Sequence, residues 1–177
     1  MERRSWITRL ALFATPCLLG SGCDLRSKDW AEQTLGDLPH QTMSVVDPFV
    51  DLTLAYNYGT AFSFVSDLAD ARAVLGVLAL VTAVGMLLWG VAKQRPALET
   101  VGLGLIAGGA IGNGVDRLFR AAPNGTAVVD FIRVNYPWGG SWPTFNIADV
   151  LVAVGVGLIL VEAFRDARRA RATLETG

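Results

Sequence analysis

The sequence predicts a membrane protein of the all-α class: a four-transmembrane-helix bundle with a small β element and loops on the outer, periplasmic face. Two observations predict this fold. Hydrophobic residues make up 52% of the 177-residue chain, and they collect in four blocks, each close to the roughly 20 residues that cross a bilayer. We expect a single membrane domain over residues 1–177, with spans at approximately 7–27, 71–92, 100–119 and 146–164.

The first block, Ile7 to Cys23, follows a basic start and ends in small residues, a pattern that also occurs in secretory signal peptides. A lipoprotein signal would have a large aliphatic residue three positions before its cysteine, where this chain has Gly20. We therefore expect a retained first helix. Cys17 and Cys23 point in different directions on such a helix, so we expect no disulfide between them.

A pair of charged residues follows this block. Asp24 and Lys28 are spaced to share one helix face and can form an ion pair. The alternative interpretation is an ordinary surface pair, which stabilises a protein little.

The polar segment that follows predicts a small β element. The partial alternation from Phe49 to Leu54 is typical of a short strand. Asn57 and Gly59, separated by one residue, are typical of a turn.

The third span is rich in glycine, and small residues let membrane helices approach closely. We therefore expect this helix at the centre of the bundle. Near its end, Asn113, Asp116 and Arg117 share one helix face. Three polar side chains on one face of a tightly packed helix indicate support for a functional site. The alternative is an ion pair that marks the helix end at the water interface.

Two acids stand beside strongly apolar sequence near the end of the chain. Asp130 lies in the expected outer loop, Ala121 to Thr144, and Asp149 opens the fourth span, three residues after Asn146. Acids in such surroundings are costly to ionise and are often functional. Two of them could have separated pKa values, as acid–base hydrolysis requires. The alternative is that each acid caps a helix or ends a loop.

The distribution of charge predicts the topology. Basic residues cluster at the start of the chain, after the second span and in the tail, so the positive-inside rule places both termini in the cytoplasm. Aromatic residues of the last loop suit interfacial anchors. Polar residues from four segments would then meet at the outer end of the bundle: Asp24, Asn57, Asn113, Asp116, Asp130, Asn146 and Asp149.

Five short motifs occur in a characteristic order. They are Asp24-x-x-Ser27-Lys28, Asn57-x-Gly59-x-Ala61-Phe62-Ser63, Gly108-Gly109-Ala110-x-Gly112-Asn113-x-x-Asp116-Arg117, Val129-Asp130-Phe131 and Phe145-Asn146-x-Ala148-Asp149. In this order the chain resembles lipoprotein signal peptidase, also called signal peptidase II, a family of bacterial membrane aspartyl proteases. The resemblance covers nearly the whole chain.

The resemblance implies an aspartic endopeptidase of the bacterial cytoplasmic (inner) membrane. Its substrates would be diacylglyceryl-modified prolipoproteins, cut immediately before the lipidated cysteine. Asp130 and Asp149 would be the catalytic pair that activates water, without a metal or cofactor. Asp24 and Lys28 match a motif of the family, and we expect them to give structural support. The expected substrate-binding or site-supporting residues are Asn57, Gly59, Asn113, Asp116, Arg117 and Asn146.

Two other functions are compatible with some of these features. Intramembrane acids also mark ion paths in transporters, but the acids cluster at one end and no internal repeat is visible. A scaffold or a lipoprotein anchored at Cys23 would predict a mature chain that begins at that cysteine. No basic stripe interleaved with aromatics indicates nucleic-acid binding. We expect membrane lipid as a partner, and a monomer, because the chain holds every residue that the site needs.

Overall fold

A computed structural model describes residues 5–59 and 71–175 of the chain. The motif residues Ala61, Phe62 and Ser63 lie outside the described residues, as do Arg3 and Arg4 of the basic start. The described part is mostly helical and carries a small sheet.

Four long helices form the bundle: α1 (Trp6–Leu35), α2 (Ala71–Ala92), α3 (Ala97–Phe119) and α4 (Ile147–Glu175). Of the helices in the described ranges, α2, α3 and α4 are long and apolar enough to cross a membrane. Three of the four expected spans thus have the length and composition of a membrane helix. In α1, Pro16, Gly20 and Ser21 dilute the apolar residues, and its role as the fourth span stays a prediction.

The first and last helices of the chain, α1 and α4, extend beyond the expected spans. Helix α1 starts where the Ser5 hydroxyl accepts a hydrogen bond from the backbone N–H of Thr8 at 3.1 Å, a typical N-cap. It runs past Lys28 to Leu35. Cys17 and Cys23 are both free thiols, as predicted. Helix α4 continues past Phe164 to Glu175, and residues 165–172 of this segment, which include four arginines, are exposed.

Helix α3 lies at the centre, where it contacts α1, α2 and α4. In an apolar stretch of 18 residues within α3, half of the residues are buried, whereas the share is 17% in the corresponding stretches of α2 and α4. Its glycines allow this packing, because a Cβ added to Gly102 would lie 2.7 Å from the carbonyl oxygen of Gly155. A Cβ added to Gly108 would lie 2.8 Å from the carbonyl oxygen of Cys17. The predicted close approach of helices at α3 is confirmed.

The β element is larger than predicted. Strands β1 (Thr42–Val46), β2 (Val50–Asn57) and β5 (Val128–Val134) form an antiparallel sheet in the order β1-β2-β5. The predicted strand at Phe49 to Leu54 therefore corresponds to β2, which is longer.

The segment Ala121 to Thr144 was predicted to be a loop, and this was wrong. It contains the hairpin β3 (Ala121–Ala122) and β4 (Gly125–Thr126) as well as β5. Its Pro, Gly and Trp residues lie mainly after β5, whereas the run from Val128 is rich in residues that favour strands.

The sheet packs on the end of α1 that extends beyond Lys28. Ala31 and Leu35 of α1 form a buried cluster with Val129 and Phe131 of β5. Alternate residues of a strand face opposite sides, so Asp130, between these two, points away from this cluster. This packing brings β5 next to the ends of α1, α3 and α4.

Candidate active site

Asp130 is buried on β5, with 4% of its surface exposed. Ala55 of β2 is its register partner, and Asn57 lies two residues further on the same face. The Asn57 Nδ2 donates to Asp130 Oδ2 at 3.0 Å, and the Asn146 Nδ2 donates to Asp130 Oδ1 at 2.6 Å. Both carboxylate oxygens of Asp130 therefore accept hydrogen bonds from amides.

The surroundings of Asp130 favour its protonated form. Burial is the main cause, and with the negative charge of Asp149 it raises the pKa of Asp130 to about 6, although the hydrogen bonds from Asn57 and Asn146 lower it. An Asp in water has a pKa near 3.8. Asp130 can therefore hold or release a proton much closer to neutrality than an ordinary Asp.

Asp149 lies in the first turn of α4 and is exposed. Its backbone N–H donates to Asn146 Oδ1 at 3.2 Å, and the backbone N–H of Asn146 donates to Asp149 Oδ2 at 3.0 Å. These reciprocal bonds form a capping box. The predicted alternative of a helix cap thus applies to Asp149, and the cap leaves Asp149 Oδ1 for a second interaction.

Asn113 of α3 supplies that interaction. Its Nδ2 donates to Asp149 Oδ1 at 3.1 Å. Its Oδ1 accepts from the Lys28 ammonium at 2.8 Å and from Asn146 Nδ2 at 3.1 Å. Asn113 and Asn146 therefore join the two acids in one hydrogen-bond network.

Lys28 and Asp24 form a buried ion pair, so the interpretation as a surface pair is wrong. Both side chains are 0% exposed, and Lys28 Nζ lies 2.7 Å from Asp24 Oδ2 and 2.9 Å from Asp116 Oδ2. With Asn113, these acceptors match the three donors of an ammonium. Asp24 Oδ1 also accepts from the backbone N–H of Ala148 at 2.8 Å, which ties α1 to the start of α4.

Asp116 also pairs with Arg120, a contact that the sequence reasoning missed. Arg120 Nε lies 2.6 Å from Asp116 Oδ1, and its Nη1 lies 2.9 Å from Asp29 Oδ1 and 2.6 Å from Glu32 Oε2. The Tyr56 hydroxyl donates to Glu32 Oε1 at 3.1 Å. The spacing of four residues between Asp116 and Arg120 was the available signal. This cluster fastens the end of α3 to α1 and β2.

Arg117 and Gly59 complete the predicted set. Arg117 Nη1 donates to the carbonyl oxygen of Asn113 at 3.1 Å, and its charge interacts with those of Asp130, Asp149 and Asp116. The backbone N–H of Gly59, at a φ of +79°, donates to Asn57 Oδ1 at 2.9 Å. Arg117 thus acts on the acids through charge, and Gly59 orients Asn57.

The structure brings every predicted site residue into one connected region where the ends of α1, α3, α4, β2 and β5 meet. The negative charge of Asp149 contributes to the raised pKa of Asp130, so a proton on Asp130 relieves the repulsion between the two acids. Such a pair can take a proton from water and donate one to a carbonyl oxygen. Within the described ranges, no group of three or more His, Cys, Asp or Glu residues could hold a metal ion.

Comparison with known proteins gives consistent results. The family model for signal peptidase (SPase) II matches residues 17–165. The chain is 38% identical to the lipoprotein signal peptidase of Nitrobacter hamburgensis over 132 residues, which are 72% of this chain and 77% of that protein. It is 36% identical to that of Caulobacter vibrioides over 168 residues, 93% of this chain and 90% of that protein.

The fold is also shared with a solved structure. A bacterial membrane enzyme determined by the in meso method aligns with a TM-score of 0.74 and 24% sequence identity. The alignment covers 94% of this chain and 99% of that one. The arrangement of helices and sheet therefore occurs in a known membrane enzyme.

Proposed function

Because the chain belongs to the signal peptidase II family, a family of membrane proteases that process lipoproteins, we propose that it is an aspartic endopeptidase with Asp130 and Asp149 as its catalytic pair. It removes the signal peptide from diacylglyceryl-modified prolipoproteins, and it cuts immediately before the lipidated cysteine.

The observation that carries this proposal is the double contact of Asn146 with the two acids. Its side chain donates to Asp130 at 2.6 Å, and its backbone N–H donates to Asp149 at 3.0 Å. One residue thereby holds a buried acid and an exposed acid in a fixed relation. Burial keeps Asp130 able to carry a proton, while the exposed Asp149 is open to substrate and water.

The reaction proceeds with one proton on the pair. The ionised carboxylate takes a proton from water, whose oxygen attacks the scissile carbonyl carbon, while the protonated carboxyl donates its proton to the carbonyl oxygen. The resulting tetrahedral intermediate collapses when the amide nitrogen takes a proton from the pair and the C–N bond breaks. The hydroxyl proton of the intermediate returns to the other carboxylate, so the pair regains its starting state.

The neighbouring groups hold the pair rather than react. Asn57, Asn113 and Asn146 donate to the carboxylates, so each acid keeps its orientation throughout the cycle. The positive charge of Arg117 stabilises negative charge that develops near the pair. Other residues hold these donors in place. Gly59 donates to Asn57, and Lys28, which pairs with Asp24 and Asp116, donates to Asn113.

The exposed surface supports the proposed membrane arrangement. Helices α2 and α4 expose rows of large apolar side chains, which suit contact with lipid. We place the sheet on the outer face and both termini in the cytoplasm of a monomer that forms a single domain, with α1 as the fourth spanning helix. The acyl chains of the substrate then stay in the bilayer while the cysteine backbone reaches the pair.

A comparison of two substrates tests the substrate class. The purified enzyme in detergent is given one prolipoprotein with and without the diacylglyceryl group on its cysteine, and the products are analysed by mass spectrometry. We expect cleavage before the cysteine in the lipidated form alone. Equal cleavage of both forms would contradict the requirement for the lipid, and a cut at another bond would contradict the proposed specificity.

A further inference from the structure

Arg72, in the first turn of α2, joins three parts of the chain. Its Nη1 donates to the carbonyl oxygens of Asn124 at 2.7 Å and of Thr126 at 3.1 Å, both in the β3–β4 hairpin region. Its Cζ lies 5.2 Å from the centroid of the Tyr58 ring, within the range of a cation–π interaction. One guanidinium thus fastens the start of α2, the hairpin and Tyr58 together.

The hairpin is shaped to receive Arg72. Gly125 has a φ of +105°, and a Cβ there would lie 2.5 Å from the Arg72 Nη1. A side chain at this position would therefore displace the guanidinium. The backbone N–H of Asn124 also donates to the Tyr58 hydroxyl at 3.3 Å, so Tyr58 is held by both Arg72 and the hairpin.

Tyr58 lies between the two residues that orient the amide beside Asp130. The Gly59 N–H donates to Asn57 Oδ1 at 2.9 Å, which turns the Asn57 Nδ2 toward Asp130 Oδ2 at 3.0 Å. A shift of the backbone at Tyr58 would move the Gly59 N–H and release the amide. The contacts run from Arg72 through Tyr58 and Gly59 to Asn57.

We propose that Arg72 is a positioning residue for the catalytic pair: it holds Tyr58 against the β3–β4 hairpin so that the Asn57 amide stays directed at Asp130. This inference rests on the proposed function, because it assigns Arg72 a role in the reaction of that pair. A lysine keeps the positive charge but lacks the planar guanidinium that stacks over Tyr58 while its Nη1 donates to both carbonyl oxygens, so it replaces Arg72 only in part.

The pKa of Asp130 shows whether the Asn57 amide is directed at its carboxylate. The Asn57 hydrogen bond lowers its pKa, so an undirected Asn57 leaves the pKa of Asp130 higher. Asp149 on α4, Lys28 on α1 and Arg117 on α3 also act on Asp130 by their charges. All three are unchanged in an Arg72 variant.

The test is a carbon-13 NMR titration of the aspartate carboxyls in detergent, with D130N to assign the Asp130 signal. We expect R72Q to raise the Asp130 pKa in the same direction as N57A, with R72K between R72Q and wild type. The double variant R72Q/N57A should match N57A alone, because both changes remove one interaction. R26Q, at an exposed arginine of α1, is the matched control and should leave the titration unchanged.

The same variants are then assayed for cleavage of the lipidated prolipoprotein. We expect kcat to fall by about 10-fold to 100-fold in R72Q, since a displaced positioning group costs up to about that much, with little change in KM. If R72Q does not fold, Y58F serves instead: it removes the hydroxyl that accepts from Asn124 and should shift the titration in the same direction by less.

An unchanged Asp130 titration in folded R72Q, or additive shifts in the double variant, would overturn the inference. The NMR titration needs no turnover, so it separates this inference from the proposed function. A failure of the wild type to cleave would count against the function alone.

Discussion

The buried ammonium of Lys28 donates to the Asn113 amide oxygen at 2.8 Å, and this contact sets the direction of the Asn113 amide. An ammonium can only donate hydrogen bonds, so Asn113 must turn its oxygen toward Lys28. The Nδ2 then faces Asp149 Oδ1 at 3.1 Å. Lys28 of α1 thereby determines that Asn113 of α3 donates a hydrogen bond to Asp149 of α4.

The substitution K28M should destabilise the protein severely. It leaves the buried carboxylates Asp24 and Asp116 without their shared cation, and such a loss typically costs about 3–5 kcal/mol. Thermal unfolding in detergent measures the effect. The matched control K93M removes an exposed lysine and should be near neutral. Equal stability of the two variants would show that Lys28 is not needed to neutralise the two buried acids.

The pH dependence of cleavage should report Asp130. Its pKa is raised to about 6, with the Asn57 hydrogen bond opposing the rise. The N57A substitution removes that opposition and should move the Asp130-dependent limb of the kcat/KM profile to higher pH, by about one unit for a hydrogen bond to a charged group. A limb that stays in place or moves to lower pH would contradict the assigned role of Asn57.

The same pKa has a consequence for stability. Because the pKa of Asp130 is higher in the folded than in the unfolded protein, the fold loses stability as pH rises from about 4 to about 6. The D130N variant lacks this pH-dependent contribution to the free energy of unfolding, because its residue 130 does not titrate. The stability of D130N relative to wild type should therefore increase over this range, by at most about 3 kcal/mol, and stay constant above it. A difference independent of pH would contradict the raised pKa.

The substitution G109A should impair activity by displacing the start of α4. A Cβ on Gly109 would lie 2.5 Å from the carbonyl oxygen of Ala148, next to Asp149. The control G157A adds the same methyl group on α4, where no described atom beyond the neighbouring helix backbone would lie within 4 Å of it. Cleavage by G109A should be much slower than by G157A, since small displacements of catalytic groups are costly. Equal rates would show that the α3–α4 contact does not position Asp149.

Much of this arrangement follows from local spacing. Asp24 and Lys28 share a helix face, as do Asn113 and Asp116, and these regularities hold in any helix. The separation of Asn146 and Asp149 is also that of a capping box. Such features could be predicted because partners lie within one turn of each other.

Other features depend on contacts between distant segments. The burial of Lys28 arises from its meeting with Asp116 on α3, and nothing within α1 distinguishes it from a surface lysine. Arg120 reaches Asp29 and Glu32 of α1 only after the chain has folded. The strand that holds Asp130 forms because β2 is available to pair with it, and the surrounding Pro, Gly and Trp residues concealed it.

The most direct test of the account is cleavage of a diacylglyceryl-modified prolipoprotein in detergent by wild type, D130N and D149N, followed by gel shift. Unfolding curves first establish that all three are folded. We predict cleavage by wild type and a rate at least about 100-fold lower in each variant, because each removes a proton-transfer group. Turnover near the wild-type rate in either folded variant would contradict the catalytic pair.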